Sequence, residues 1–308
     1  MMDASLLVYA LYLAAIYSLM AIGISLLWSS VGMVNMAHGA TFAIAGYAAY
    51  VASDWMVPLV KAWSTGSASA VALAVLVVLV GMAAGALFGI VIYLVALLPI
   101  HDKPNFAVRS LIVTLALNLA TVQALLWGFG PQQKALPRVF GSGRIELLGV
   151  QVRADQGITI VTTVALLSLV LLWLRFSRRG LEIRAVMQNS EGAALCGIST
   201  RWTALPVMTL TGALAGLAAV LLSQSIFVNP TAGTTPLIKG LTIALLGGLG
   251  SVAGAVLGAI LIGFLEAATG AIPFLGQRYV LVLQFAFIVL VLLIRPRGIG
   301  GLLDETRE

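Results

Sequence analysis

Cysteine, histidine and charge are all scarce in this 308-residue chain, which holds one cysteine, two histidines and only 9% Asp, Glu, Lys and Arg together. Cys196, being alone, excludes an intramolecular disulfide and a cysteine metal cluster. No His-Glu-x-x-His, Glu-x-x-His or Gly-x-Ser-x-Gly pattern occurs, and the glycine-rich stretch 245–254 lacks the lysine and flanking strand of a phosphate-binding loop. An intramembrane hydrolase built on His38 and Glu266 would have no nucleophile at a recognisable spacing. The residues therefore point away from enzymes: no catalytic or metal-ligating set, and no cofactor held by this chain. The net charge of +6 is spread over loops and helix ends without a clustered basic stripe or interleaved aromatics, so nucleic acid is not an expected partner.

What the chain has in abundance is apolar surface: 61% hydrophobic residues and a mean hydropathy of +1.08. A soluble domain carries roughly 25% charge, so an integral membrane protein is expected. A spanning helix needs about 20 apolar residues. Candidate segments fall at 6–28, 35–57, 69–98, 108–128, 157–176, 203–228, 237–249, 251–270 and 279–294. Residues 237–249 are too few to span upright, so that segment either crosses or is re-entrant. The expected fold is all-α, a single transmembrane domain over 1–308 with about eight or nine helices, some broken. The start has no basic n-region, so 6–28 reads as a retained helix and not a signal peptide. No stretch between segments offers the ~50 residues of a fused soluble domain. With the N-terminus outside and all nine segments crossing, ten basic residues face the cytoplasm and seven face out. That places 177–202 inside and the long hydrophilic loop 129–156 outside.

Glycines recur four apart at Gly81, Gly85 and Gly89, at Gly212 and Gly216, and at Gly250, Gly254 and Gly258. Each row lines one helix face with small residues and predicts close backbone packing. Glu266 sits in an apolar segment, where an acid is costly and faces a cavity, a partner or, by snorkelling, the surface. Asn118, Gln123, Gln224 and Gln284 are further polar residues in apolar runs, where such groups commonly join helices. Asn35 to Gly39 (NMAHG) opens the second segment after a break, with Asn35 as a candidate N-cap. A helix start inside a bundle also presents free N–H groups to a passing carboxylate. Asn35, His38, Gly39, Gln224 and Glu266 are the substrate-path candidates.

The longest polar interval with helical pattern is 178–200, RRGLEIRAVMQNSEGAALCGIST. After Gly180 the pattern predicts one short helix over 181–188, with Ile183 and Val186 on one face and Arg184 and Gln188 paired at i,i+4. Ser190 is placed to cap a second, 191–196, with Glu191 in its first turn and Gly197 at C′. A cytoplasmic docking surface and an ordinary basic loop both fit this pattern.

NMAHG with the downstream Gly46-Tyr47 resembles the permeases of branched-chain amino-acid ABC transporters, in particular the first of their two permease subunits. The likeness continues at Gly180-Leu181-x-x-Arg184-Ala185, at 189–198 (NSEGAALCGI), at 246–258 (LGGLGSVAGAVLG) and at Arg295-Pro-Arg-Gly298. Urea and amide permeases share these landmarks, and the loop 129–156 matches poorly. The resemblance implies a glycine-packed importer bundle in the bacterial inner membrane and transport of branched-chain or other hydrophobic amino acids. It implies four kinds of partner: a second homologous permease, two cytoplasmic ATPases holding ATP and Mg²⁺, an extracytoplasmic solute-binding protein, and the amino-acid substrate itself. It makes Arg184, Asn189, Ser190, Glu191, Ala193, Ala194, Gly197 and Ile198 the ATPase-coupling segment. Urea or short-amide transport is the alternative within the class. A stand-alone channel or secondary carrier is the alternative outside it.

Overall fold

A computed structural model describes residues 4–63, 67–137, 140, 143–147, 150–272 and 276–300. Arg138 and the end of the polar tail, 301–308, lie outside the described residues. The helices are α1 (Ala4–Val31), α2 (His38–Trp63), α3 (Ser67–Ile92), α4 (Phe106–Phe129), α5 (Ala154–Phe176), α6 (Arg178–Gln188), α7 (Ser190–Leu195), α8 (Thr200–Leu222), α9 (Thr234–Gly247), α10 (Val252–Ala271) and α11 (Val280–Ile294). Six of them, α1, α3, α4, α5, α8 and α10, are long and apolar enough to cross a membrane, and α9 and α11 are shorter apolar helices. The all-helical membrane bundle is as the composition requires.

Burial sorts the helices. The apolar stretch of α1 is buried almost throughout and most of that of α8 is, whereas α4 and α5 bury only a small share of theirs. A helix that is apolar all round belongs in a protein or lipid interior. α1 and α8 form the protein-lined centre, and α4 and α5 turn Leu119, Trp127, Val161 and Leu169 outward. α1 packs on α5, α8, α9 and α10, and α8 packs on α2 and α3.

The glycine rows set the closest approaches. α3 and α8 interdigitate backbone to backbone: a Cβ on Gly85 would land on the Gly212 carbonyl oxygen, and one on Gly216 on that of Gly81. Gly247 and Gly254 do the same for the α9–α10 hairpin. Gly250 departs from its predicted row. It lies in the turn ahead of α10 with φ +94, and its N–H donates to Ser25 Oγ at 3.0 Å. After α11 the chain folds back, and the Ile299 and Gly300 N–H groups donate to the Leu246 and Gly247 carbonyls at 2.9 and 2.8 Å. The carbonyls at the end of α9 are thus satisfied by the segment beginning at Arg295.

Several stretches differ from the sequence pattern. α8 stops at Leu222, not at 228, because 223–233 leaves the helix and Val228 pairs instead with Lys134 of the long loop. That loop carries a hairpin, β1 (Arg144–Leu147) antiparallel to β2 (Val150–Arg153), from Arg144 opposite Arg153 to Leu147 opposite Val150. The helix expected to begin after Gly180 begins at Arg178, with Gly180 inside it. The break falls at Ser177, whose side chain accepts from the Gly180 N–H at 2.8 Å to cap α6. Gly180 is needed because a Cβ there would strike the Leu174 carbonyl, where α6 folds back over the end of α5.

The 237–249 segment runs as α9 from a cavity beside the N-terminal half of α1 to Ser25, near that helix's other end. Following the orientation expected from the charge count, the end of the bundle at the α1 N-terminus is labelled outer and the end at α6–α7 inner.

Candidate functional site

Polar chemistry gathers at the two ends of the bundle. At the inner end, α6 buries Ile183 and Val186 and leaves Arg184 exposed, its guanidinium donating to the Arg175 carbonyl at 2.9 Å. That bond ties α6 to the end of α5. α7 begins at Ser190, and its N-cap is Asn189, whose Oδ1 accepts from the Gly192 N–H at 2.8 Å. Ser190 is therefore the first helical residue and not the cap. At the other end Gly197 takes φ +82, its N–H donates to the Ala194 carbonyl at 3.0 Å, and that of Ile198 to Ala193 at 3.0 Å. These two bonds are a Schellman stop. Ala193 anchors α7 to the bundle, Ala194 and Cys196 face out, and the Leu195 side chain is 91% exposed. A cavity of about 770 Å³ opens beside this element, lined by Trp28, His101, Asn189, Ser190 and Glu191 among others. His101 pairs with Asp102 at 3.1 Å, and Arg201 reaches Asp102 at 3.8 Å.

At the outer end a cavity of about 540 Å³ is walled by α1, β2, α5, α9, α10 and the 222–232 stretch, with Lys239 and Glu266 in its lining. The Lys239 ammonium donates to both Glu266 oxygens, at 2.8 and 2.7 Å, and to the Tyr17 hydroxyl at 2.7 Å. Tyr17 donates on to Glu266 at 3.1 Å, and Gln284 Nε2 donates to the other oxygen at 2.9 Å. Four helices, α1, α9, α10 and α11, thus meet at one buried ion pair. Glu266 is held in the interior, not snorkelling to the surface. An acid at this depth persists because its charge and lone pairs are matched on the spot. Lys239 is one of the seven outward-facing basic residues of the charge count, and Tyr17 lies within the apolar segment 6–28. The signal that could have found them is a lone lysine and a lone glutamate in apolar helices joined by one tight glycine hairpin.

Of the other path candidates, Asn35 folds a turn ahead of α2, its Oδ1 accepting from Ala37 N–H at 3.0 Å, so the helix starts at His38. His38 is 1% exposed and packs against Gly23, and its Nε2 has no hydrogen-bond partner among the described residues. Gly39 meets Gly233 backbone to backbone, so the starts of α2 and α9 touch. Gln224 is buried just beyond α8. Asn35, His38, Gly39 and Gln224 line neither of the two cavities; Glu266 alone does.

A lipid-facing bundle with one polar cavity at each end and a capped, exposed helix beside the inner one is the architecture of a membrane transport subunit. The chain belongs to the family described as branched-chain amino acid transport system, permease component, which matches residues 6–292. It is 30% identical to the high-affinity branched-chain amino acid transport system permease protein LivH of Escherichia coli K12, over 94% of this chain and 92% of that one. It is 31% identical to the BraD permease protein of Pseudomonas aeruginosa, over 96% and 94%. A guanosine ABC transporter permease protein of Bacillus subtilis, NupP, is 37% identical over 33% of this chain. No solved structure matches it. Family and helices together make it a multi-pass protein of the bacterial inner membrane.

Proposed function

We propose that this chain is the membrane subunit of an ATP-binding cassette importer for branched-chain or other hydrophobic amino acids, working by alternating access. ATP and Mg²⁺ would be held by two cytoplasmic ATPase subunits, a second homologous permease would complete the pathway, and an extracytoplasmic binding protein would deliver substrate over the 129–156 loop. The observation that carries the reading is α7. Six residues are too few to be a stable helix alone, yet this one is capped at both ends and presents Leu195 and Glu191 outward. Such an element transmits force only if it touches the two ATPase states differently. Arg184, Asn189, Ser190, Glu191, Ala193, Ala194, Gly197 and Ile198 are assigned to that contact. Asn35, His38, Gly39, Gln224 and Glu266 are assigned to the substrate path, with Glu266 at its outer cavity. Deleting 193–197, or reversing Glu191 to Lys, should abolish ATP-driven leucine uptake while the bundle keeps its thermal stability. Unchanged uptake in both variants would refute the assignment.

A further inference from the structure

The importer reading does not explain why a lysine and a glutamate are buried together at the floor of the outer cavity. As a pure strut the pair has a poor rationale, since a well-packed apolar pair of similar size is often at least as stable. The pair also lines the cavity instead of lying sealed behind it. Around it the wall divides by chemistry. Leu13, Leu222, Ile226 and Pro236 are apolar, while Tyr12 and Ser225, joined at 2.8 Å, Gln156, Asn229 and Arg153, whose guanidinium is already paired with Asp155 at 2.6 Å, are polar. The cavity volume of about 540 Å³ falls within the roughly 300–1,000 Å³ of small-molecule sites.

We propose that the Lys239–Glu266 pair is the point at which the permease recognises a zwitterionic α-amino acid, its carboxylate going to Lys239 and its ammonium to Glu266. This rests on the importer reading above and deepens it by naming the feature of the substrate that is read. The hydrogen-bond bookkeeping supports insertion. Two of the lysine's three donors go to Glu266 and the third to Tyr17. A zwitterion entering the pair replaces the two Lys–Glu bonds with Lys–carboxylate and ammonium–Glu bonds. Tyr17 and Gln284 keep their places on the two charges. Once the zwitterion is in place each buried charge again faces an opposite one, and the apolar wall remains for a hydrophobic side chain. A ligand with one charge leaves the other member of the pair unpaired, and a neutral amide or urea, which can accept from Lys239 and donate to Glu266, brings no charge to offset parting them, so both are disfavoured. The same geometry therefore separates amino acids from the amide substrates that the family landmarks alone do not exclude.

The test uses the membrane complex of both permeases and the ATPases in nanodiscs, without the binding protein, so that only the permease selects. Equilibrium binding is measured for leucine, for 4-methyl-2-oxopentanoate (carboxylate only) and for isopentylamine (ammonium only). Wild type should bind leucine about 30-fold or more tighter than either analogue, the scale of one lost buried charge contact. In Glu266→Gln the preference should shift to the oxo acid, and in Lys239→Gln to the amine, an inversion that a merely structural role does not produce. If either single variant fails to fold, Lys239→Met/Glu266→Leu removes both charges at once and should fold but lose leucine binding by the same factor. Equal binding of all three ligands by wild type, no leucine binding by wild type, or undiminished leucine binding by the double variant overturns the inference. Leucine uptake by cells carrying the intact wild-type transporter is scored separately. If uptake is present while any of those results is obtained, the site is wrong and the importer reading stands; if uptake of leucine and of the other branched-chain and hydrophobic amino acids is absent, the importer reading itself fails.

Discussion

Replacing Gly85 by Ala puts the packing account to a quantitative test. In isolation the change should help, since Ala is better than Gly in a helix interior by roughly 0.5–1 kcal/mol. The structure reverses the sign. The new Cβ would collide with the Gly212 carbonyl oxygen and lie 3.0 Å from the Gly216 Cα, both backbone atoms of α8 that no rotamer change can move. α3 and α8 would have to part by roughly 1 Å, loosening the interface along its length, and overpacking of this kind costs about 1–3 kcal/mol. The net expectation is a loss of about 1–2 kcal/mol, a few degrees in the unfolding midpoint. Gly157 in α5 is the control, because a Cβ there meets nothing within 4 Å, so Gly157→Ala should be neutral or slightly stabilising. The assay is the monodisperse fraction of detergent-purified protein after heating. A Gly85→Ala midpoint at or above wild type, or an equal loss in Gly157→Ala, would show that these contacts do not set the helix spacing.

Two further outcomes follow from particular contacts. Glu266→Leu leaves Lys239 buried and unpaired and should cost about 3–5 kcal/mol, whereas Lys239→Met/Glu266→Leu should recover most of that loss; a double variant as unstable as the single one would contradict the pairing. Gly197→Ala forces a side chain into φ +82, at a cost of roughly 1–2 kcal/mol confined to the end of α7, so uptake should fall with little change in the global unfolding midpoint, and uptake at the wild-type level would mean that the Schellman stop is dispensable.

The membrane class and most helices were legible because long apolar runs leave few alternatives, and the α3–α8 interlock was legible as two glycine rows. What escaped was tertiary. Asn189 and Ser190 are both good caps, and only the backbone's extended turn at Asn189 decides between them. The α8 boundary depends on Val228 pairing with Lys134, almost a hundred residues away, which helical propensity cannot report. The charge count puts Lys239 on the outside because its partner lies 27 residues on, across a hairpin. The β1–β2 hairpin lies in a loop that reads only as hydrophilic. At His38 the sequence marked an unusual residue at a helix start, but its burial against Gly23 depends on α2 beginning about eight residues, or roughly 12 Å, above the end of α1.

Cys196 offers the most direct measurement of the central claim, that α7 docks the ATPases. It is the chain's only cysteine and lies exposed at the C-cap of α7. In inside-out vesicles a membrane-impermeant maleimide should label it rapidly when the permeases are present without ATPases, and at least about tenfold more slowly once the ATPases are bound. In right-side-out vesicles it should not react. Labelling at the same rate with and without bound ATPase, or labelling from the outer face, would contradict the account.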